Sequence, residues 1–495
     1  MNASDTTDSL TNDELPGRSA PPRPQATSAR SAGLGAVFWL AFAGILLGEI
    51  LDLLDTLVTT VAGPPILRDL GGTPAGLQWL SAGYTLALAG GVLIGGRLGD
   101  RFGRKRLFLI GMAGFVAASL IAALSPSLDV LLGARCVQGL LGALMLPQSF
   151  GLIRDVVPRE RLGAAFGAFG VTMALSALAG PLLAGALVSA DLFGLGWRAI
   201  FAINIPLGIA GLLIGTRFLP ASRPDRTLGI DYLGCALGVL AMVCLVFPLV
   251  EGPELGWPWW CFALFGAAAL AVVIFVVQQR GRSAAGRDPL VLPSLFGKIA
   301  FTGGLGISMF FFTAFMASSF VLAVLFQIGL GLTPLFSALA MLPQAVGMIV
   351  GLKGSGKLVS GRSRLLAGFA VAGLGQATLA ATLLLGGAAL QAWWLAPGLL
   401  ITGIGSGAAM GPIFDVIIGG VDEAETGSAS GVLNATQQIG GATGVAVLGT
   451  VLFAVSGVAG YAAGAAAAYG VSLVLVLAAL ALAARILPRD PVGRN

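Results

Sequence analysis

Gly48-Glu49-Ile50-Leu51-Asp52-Leu53-Leu54-Asp55-Thr56 sets three carboxylates inside an apolar run that extends from about Ala36 to Val61. A run of that length crosses a bilayer as a helix. Spaced by three and then three, the acids fall on one helical face about 120° wide and span roughly 9 Å along the axis, so they look into one cavity. A charge near the middle of a membrane helix costs ~2.5–3.5 kcal/mol even on the lenient insertion scale, and three on one face point to function. For any single acid the plainer reading is a partnered polar contact between helices.

Composition agrees with that reading. The 495 residues are 56% hydrophobic and only 10% charged, which defines a polytopic membrane protein. Glycine occurs 74 times, as suits helices that approach closely through small residues. Cys136, Cys235, Cys244 and Cys261 lie in or beside apolar segments without pairing or metal-ligand spacing and read as small core residues. With no histidine in the chain, proton chemistry falls to carboxylates, and neither a metal nor a cofactor is expected. The net charge of +5 is accounted for by basic loops, not by a nucleic-acid face.

Residues 1–34 are rich in Ser, Thr, Pro and Asp and carry Arg18, Arg23 and Arg30, which predicts a disordered cytoplasmic tail without the order of a signal peptide. Fourteen apolar segments follow, centred near residues 48, 86, 116, 140, 176, 208, 240, 268, 313, 344, 376, 404, 441 and 473. Basic residues cluster after the even-numbered segments, at Arg97 to Arg106, Arg154 to Arg161, Arg217 to Arg226, Arg280 to Lys298 and Lys353 to Arg364. Of 28 Lys and Arg, only Arg68 and Arg198 fall in the other set of loops, and Arg135 lies within a span. The positive-inside rule therefore puts both termini in the cytoplasm of a multi-pass protein of the cell membrane. The turn at Asp422, Glu423 and Glu425 dissents, although acids weigh little in that rule.

Gly96-Arg97-Leu98-Gly99-Asp100-Arg101-Phe102-Gly103-Arg104 follows the second span, and Gly356-Lys357-Leu358-Val359-Ser360-Gly361-Arg362-Ser363-Arg364 echoes it after the tenth. Two six-helix halves with two helices between them reproduce that spacing, a parallel-repeat plan. The expected division is a six-helix bundle over 35–220, two inserted helices over 221–280, a cytoplasmic linker over 281–298, a second six-helix bundle over 299–486 and a tail over 487–495.

The stretch Gly96 to Lys105 closely resembles the loop motif between the second and third helices of the major facilitator superfamily. In it Gly99 and Gly103 permit a tight turn, Arg101 and Arg104 hold the turn on the basic side, and Asp100 can accept from a helix N-terminus or pair with an arginine. Arg135-Cys136-Val137-Gln138-Gly139, with Gly142 and Pro147, is similar to that family's fourth-helix motif. An arginine inside a membrane needs a counter-charge or carbonyls, and the nearest carboxylates are on the first helix; the alternative is an arginine snorkelling from the Leu128 end. Gly167, Ser176, Gly180-Pro181 and Gly185 resemble the antiporter motif of the drug-exporting branches, with Ser176 and Ala184 where glycine is usual. A Gly-Pro pair there kinks the helix and lets a neighbour pack close. Trp197 to Pro206, and Leu54-Asp55 with Val61-Ala62 and Pro64, look like motifs of the fourteen-helix drug:proton antiporter branch. Leu57 and Gly63 depart from it, and Glu49 and Asp52 are acids not general to it.

The resemblance implies an all-α major facilitator fold and a secondary transporter, not an enzyme, that exports amphipathic small molecules in exchange for protons, as in multidrug efflux and antibiotic resistance. Asp55 is the first candidate for the proton, Asp52 and Glu49 are cation-attracting or second titrating groups, and Arg135 biases all three. Tyr84, Gln138, Gln148, Phe311, Asn434 and Gln437 are candidate substrate-lining residues, for which ordinary helix packing is the competing reading. A monomer powered by the proton gradient is expected. A proton symporter that imports a small metabolite shares the fold and stays open. A polytopic enzyme would need catalytic groups that the short loops and missing histidine do not supply.

Overall fold

The computed structural model describes residues 28–157, 161–221, 224, 229–358, 361–419, 421–422 and 425–487. Arg18, Arg23, Arg159, Arg223, Arg226 and Glu423 lie outside the described residues, as do most of the two expected tails and part of the Gly356 to Arg364 echo. The first helix begins at Ser28, inside the stretch expected as tail.

The described residues are helical, without strands. In chain order the helices are α1 (Ser28–Leu70), α2 (Pro74–Phe102), α3 (Arg104–Ala123), α4 (Leu128–Val156), α5 (Leu162–Ala190), the short α6 (Ala199–Ala202), α7 (Asn204–Phe218), α8 (Tyr232–Leu255), α9 (Trp259–Ala284), α10 (Ile299–Val324), α11 (Pro334–Leu358), α12 (Gly361–Gly386), α13 (Ala396–Gly419) and α14 (Thr426–Ile486). Their ends follow local chemistry. Thr73, ahead of Pro74, accepts from Gly76 N at the start of α2, Ser127 caps α4 through Val130 N, and Asp231 caps α8 through Gly234 N.

Among the described residues, ten helices are long and apolar enough to cross a membrane, or eleven if the two parts of α2, bent by 48°, form one span. The apolar segments of the sequence predict fourteen. Part of the difference lies in α1, whose three acids interrupt its apolar run. Another part lies in α14, whose 61 residues would measure about 90 Å if straight, three times a hydrocarbon core. That helix breaks at Gly460, where φ is 84° and ψ 164°, a conformation closed to other residues.

Helices α1 to α7 pack with one another, as do α10 to α14. The pairings correspond: α2 with α4 as α11 with α13, α3 with α4 as α12 with α13, and α1 with α5 and α7 as α10 with the two parts of α14. The bundles meet along α2 with α14 and α5 with α11. Helices α8 and α9 pair with each other, and α8 lies against α2 and α14.

Three hydrophobic cores show how the bundles are joined. One is confined to the first bundle, around Phe42, Phe108, Phe115 and Ile153, and one to the second, around Phe301, Phe369 and Ile417. The third crosses between them and gathers the far ends of the helices, including Val61, Ile66, Leu80, Phe201, Phe320, Phe326, Leu448 and Leu452. The molecule is therefore fastened at the end that carries the α1–α2 and α10–α11 turns.

Polar contacts reinforce that end. Gln327 donates to Val61 O at 2.8 Å, Arg68 to Gln327 O at 3.1 Å, and Leu335 N to Ser189 Oγ at 3.3 Å. A Cβ on Gly185 would meet Leu335 Cα at 2.8 Å, so α5 and α11 touch backbone to backbone there. Helix α8 bridges the same end, accepting Trp79 Nε1 at Glu251 (2.6 Å), Ala75 N at Glu254 (2.8 Å) and Thr450 Oγ1 at Leu249 O (2.7 Å). At the opposite end, Arg97 donates to Pro289 O of the linker, and Lys298 donates to Asp422 and Glu425 at 2.8 Å. The hydrogen bonds it donates to those two carboxylates hold the Lys298 ammonium above its ordinary range.

Candidate functional site

The acids of α1 are buried where the first bundle's own core meets the shared one: Glu49 is 6% exposed, Asp52 8% and Asp55 2%. From α4, Arg135 is 1% exposed and forms an ion pair with Asp55 Oδ2. Gln138, one turn on, accepts from Arg135 at 2.7 Å and donates to Asp55 Oδ1 at 2.9 Å. Asn204, at the start of α7, donates to the same Oδ1 at 2.8 Å, and Ser119 of α3 lies within reach of both amides. The Arg135 guanidinium also stacks 4.2 Å from the Tyr84 ring and points Nε at Leu80 O. Five helices, α1, α2, α3, α4 and α7, thus meet around one carboxylate and one guanidinium. Such a pair is held by its hydrogen bonds as much as by charge, because burial alone would favour neither ion.

Asp52, one turn before Asp55, has a different environment. Tyr84 donates its phenol hydrogen to Asp52 Oδ1, and Gly142 leaves the space, since a Cβ there would sit 2.9 Å from that oxygen. Glu49, a further turn back, lies beside Ser149 and has one carboxylate oxygen, Oε1, buried with no hydrogen-bond partner. The three acids differ accordingly: Asp55 is saturated on both oxygens, Asp52 is singly bonded, and Glu49 is underbonded.

Other candidates fall elsewhere. Gln148 is wedged between α4 and α2, its Nε2 donating to Gly95 O at 2.8 Å and its amide filling the space a side chain at Gly99 would need; it is a helix contact. Phe311 is inside the second bundle, stacked on Phe315 at 5.6 Å. Asn434 and Gln437 are half-buried on α14, and Gln437 Nε2 has no partner. Gly180 is buried in α5 beside Pro181.

At the α2–α3 turn, Gly103 takes a φ of 99° and opens α3 directly. Asp100 pairs with Arg104 at 2.9 Å, and Arg104 reaches Asp155 of α4 at 3.6 Å. Lys105 donates to Thr216 O and Leu219 O, closing the end of α7. Arg101 lies over Phe102, and Gly96 faces Pro147 of α4. The turn binds three helix ends of one bundle together.

The sequence reading missed Asn204 and Ser119 as members of the ion-pair cluster. Asn204 stands within the Trp197 to Pro206 motif, which by itself gives it no partner. It also missed the matching position in the second bundle. There a small cavity is lined by Phe311, Phe315, Ser318, Gln344, Gln376 and Thr402, among others. Ser318 and Tyr469 share a hydrogen bond of 3.0 Å, while Gln376 Oε1 and Thr402 Oγ1 have no partner. Among the described residues no charged side chain lines it.

Two matched helical bundles, fastened at one end across a membrane and enclosing a buried ion pair, form a membrane transporter and not an enzyme. The chain belongs to the Major Facilitator Superfamily, whose model matches residues 45–445. It is 42% identical to the "Probable actinorhodin transporter" of Streptomyces coelicolor over 85% of this chain and 73% of that one. It is 32% identical to the "Tetracenomycin C resistance and export protein" of Streptomyces glaucescens over 85% and 77%. Among solved structures it is similar in fold to a peptide transporter of the POT family in complex with sulfate, with a TM-score of 0.66 at 17% identity, covering 90% of this chain and 94% of that one.

Proposed function

We propose that this protein exports an amphipathic small molecule, an antibiotic or a related drug, across the cell membrane in exchange for protons. The observation that carries the proposal is the row of three buried, unequally hydrogen-bonded acids on one face of α1 beside Arg135, in a relative of named export proteins. Both oxygens of Asp55 are spent on Arg135, Gln138 and Asn204, so we assign proton exchange to Asp52, which accepts from Tyr84 alone, with Glu49 as the group that attracts a cationic substrate. Asp52 takes a proton when its bundle faces the exterior, loses its hold on a cation, and regains that hold when it releases the proton to the cytoplasm.

Fourteen crossings are our reading of the helices: α1 to α5, α6 with α7, α8 to α13, and α14 folded at Gly460 into two. The basic loops favour cytoplasmic termini, which makes the fastened end exterior. The protein works as a monomer with no cofactor, and the proton gradient supplies the energy.

Efflux from proteoliposomes with an imposed pH gradient, over a panel of cationic dyes and natural antibiotics, tests the proposal. Uphill export that collapses with the gradient is the expected result. Inward accumulation of a compound together with protons would establish the symporter instead.

A further inference from the structure

A second cavity, of about 150 Å³, lies outside both bundles, between the last turns of α9 and the linker that leads to α10. Phe275, Val276, Val291, Pro293 and Phe296 form its walls, with Gln279 and Arg280 at its edge. The walls expose no free polar group. Gln279 donates to Asp231 at 2.5 Å and accepts from Val291 N at 2.9 Å, which spends its amide on the linker. Arg280 is different. Its neighbours are engaged, Arg282 with Asp231 and Asp288 O and Lys298 with Asp422 and Glu425, whereas the exposed Arg280 side chain has no partner among the described residues.

The cavity's depth in the membrane follows from the helix. From Trp259 to Phe275 α9 rises about 24 Å, and to Arg280 about 31 Å, against a hydrocarbon core ~30 Å thick. The cavity therefore sits just inside the hydrocarbon boundary and Arg280 just outside it. Val272, Val273 and Val277 are exposed on the same helix, as suits a lipid-facing surface. An apolar cleft with one unpaired cation at headgroup level matches a ligand with an anionic head and a hydrocarbon tail.

We propose that this cleft binds an anionic phospholipid from the surrounding bilayer, one acyl chain against Phe275, Val276, Val291 and Phe296 and the phosphate on Arg280. The lipid would fasten the linker to α9. That linker contacts the first bundle through Arg97 at Pro289 O and the second through Leu292 N at Ser428 Oγ, so the bound lipid braces the joint between them.

The test is native mass spectrometry of the purified full chain titrated with palmitoyl-oleoyl phosphatidylglycerol or with phosphatidylcholine of the same chains. Wild type should bind the anionic lipid roughly tenfold more tightly, the worth of one charge-assisted hydrogen bond. Arg280→Gln should lower that preference to the phosphatidylcholine level. Val276→Trp, which fills the cleft from an exposed position, should abolish tight binding with Arg280 intact, and it decides the matter if Arg280→Gln fails to fold. Arg287→Gln, a nearby basic residue outside the cleft, should bind as wild type does. Equal loss in Arg287→Gln would reduce the site to diffuse surface charge. Unchanged binding in Val276→Trp, or full competition by glycerol phosphate, would show that no acyl chain enters.

Discussion

The two bundles place different chemistry at matching positions. In the first, α1, α2, α3, α4 and α7 bring Asp55, Tyr84, Ser119, Arg135, Gln138 and Asn204 together around an ion pair. In the second, α10, α11, α12, α13 and the latter part of α14 bring Ser318, Gln344, Gln376, Thr402 and Tyr469 around a small neutral cavity. The same helix packing thus supports a charged centre on one side and an uncharged one on the other. The fold asks only for polar groups that satisfy one another; the charges are an addition, and we assign an addition this costly in a membrane to the transport cycle.

The largest difference between the bundles should appear when one partner of the ion pair is removed. Asp55→Asn leaves Arg135 buried without a counter-charge and should cost ~3–5 kcal/mol of stability, most of it recovered in the double variant Asp55→Asn with Arg135→Gln. Thermal melts of the purified proteins measure this. A double variant as unstable as the sum of the singles would contradict a coupled pair.

Within the charged bundle, Asp52→Asn should abolish gradient-driven export while leaving downhill exchange. Glu49→Gln should instead weaken a cationic substrate more than a neutral one, by ~1–3 kcal/mol if the contact behaves as an ordinary charge-assisted hydrogen bond. Binding and uphill accumulation of one compound of each kind separate the two roles, and identical profiles for the two variants would merge them.

In the neutral bundle, Tyr469→Phe removes one hydrogen bond to Ser318 and should cost only ~1 kcal/mol. Gln376→Leu, whose Oε1 has no partner, should cost less still. Export by either variant should remain coupled to the gradient. The smallest stability change belongs to Asp100→Asn at the α2–α3 turn, below ~1 kcal/mol for a half-exposed pair. Its turnover should nonetheless slow at equal membrane abundance, and wild-type turnover would leave the turn a purely topogenic signal.

Much of this was legible in the sequence because membrane energetics make it so. The acids of α1 stood out against an apolar run, and Arg135 required a counter-charge that the first helix alone could supply nearby. The rank among the acids was not legible. Spacing puts Glu49, Asp52 and Asp55 on one face, but which one is saturated depends on Asn204, which lies 149 positions from Asp55. Gln148 misled for a related reason: a glutamine in a span looks like lining, yet the glycines at 95 and 99 on the facing helix make a slot for it. Nor could the neutral centre be found, since a serine, a threonine, two glutamines and a tyrosine spread over five helices form no local pattern. The α9 cleft was equally hidden, as it exists only where the linker folds back on the helix.

The central claim, that proton exchange resides at Asp52 in the first bundle and has no counterpart in the second, is tested most directly by counting protons released when substrate binds. Purified protein in weakly buffered solution with a pH-sensitive dye would be titrated with tetraphenylphosphonium, a lipophilic cation. Wild type and Gln376→Leu should release protons on binding, and Asp52→Asn should bind without release. Undiminished release from Asp52→Asn would contradict the account.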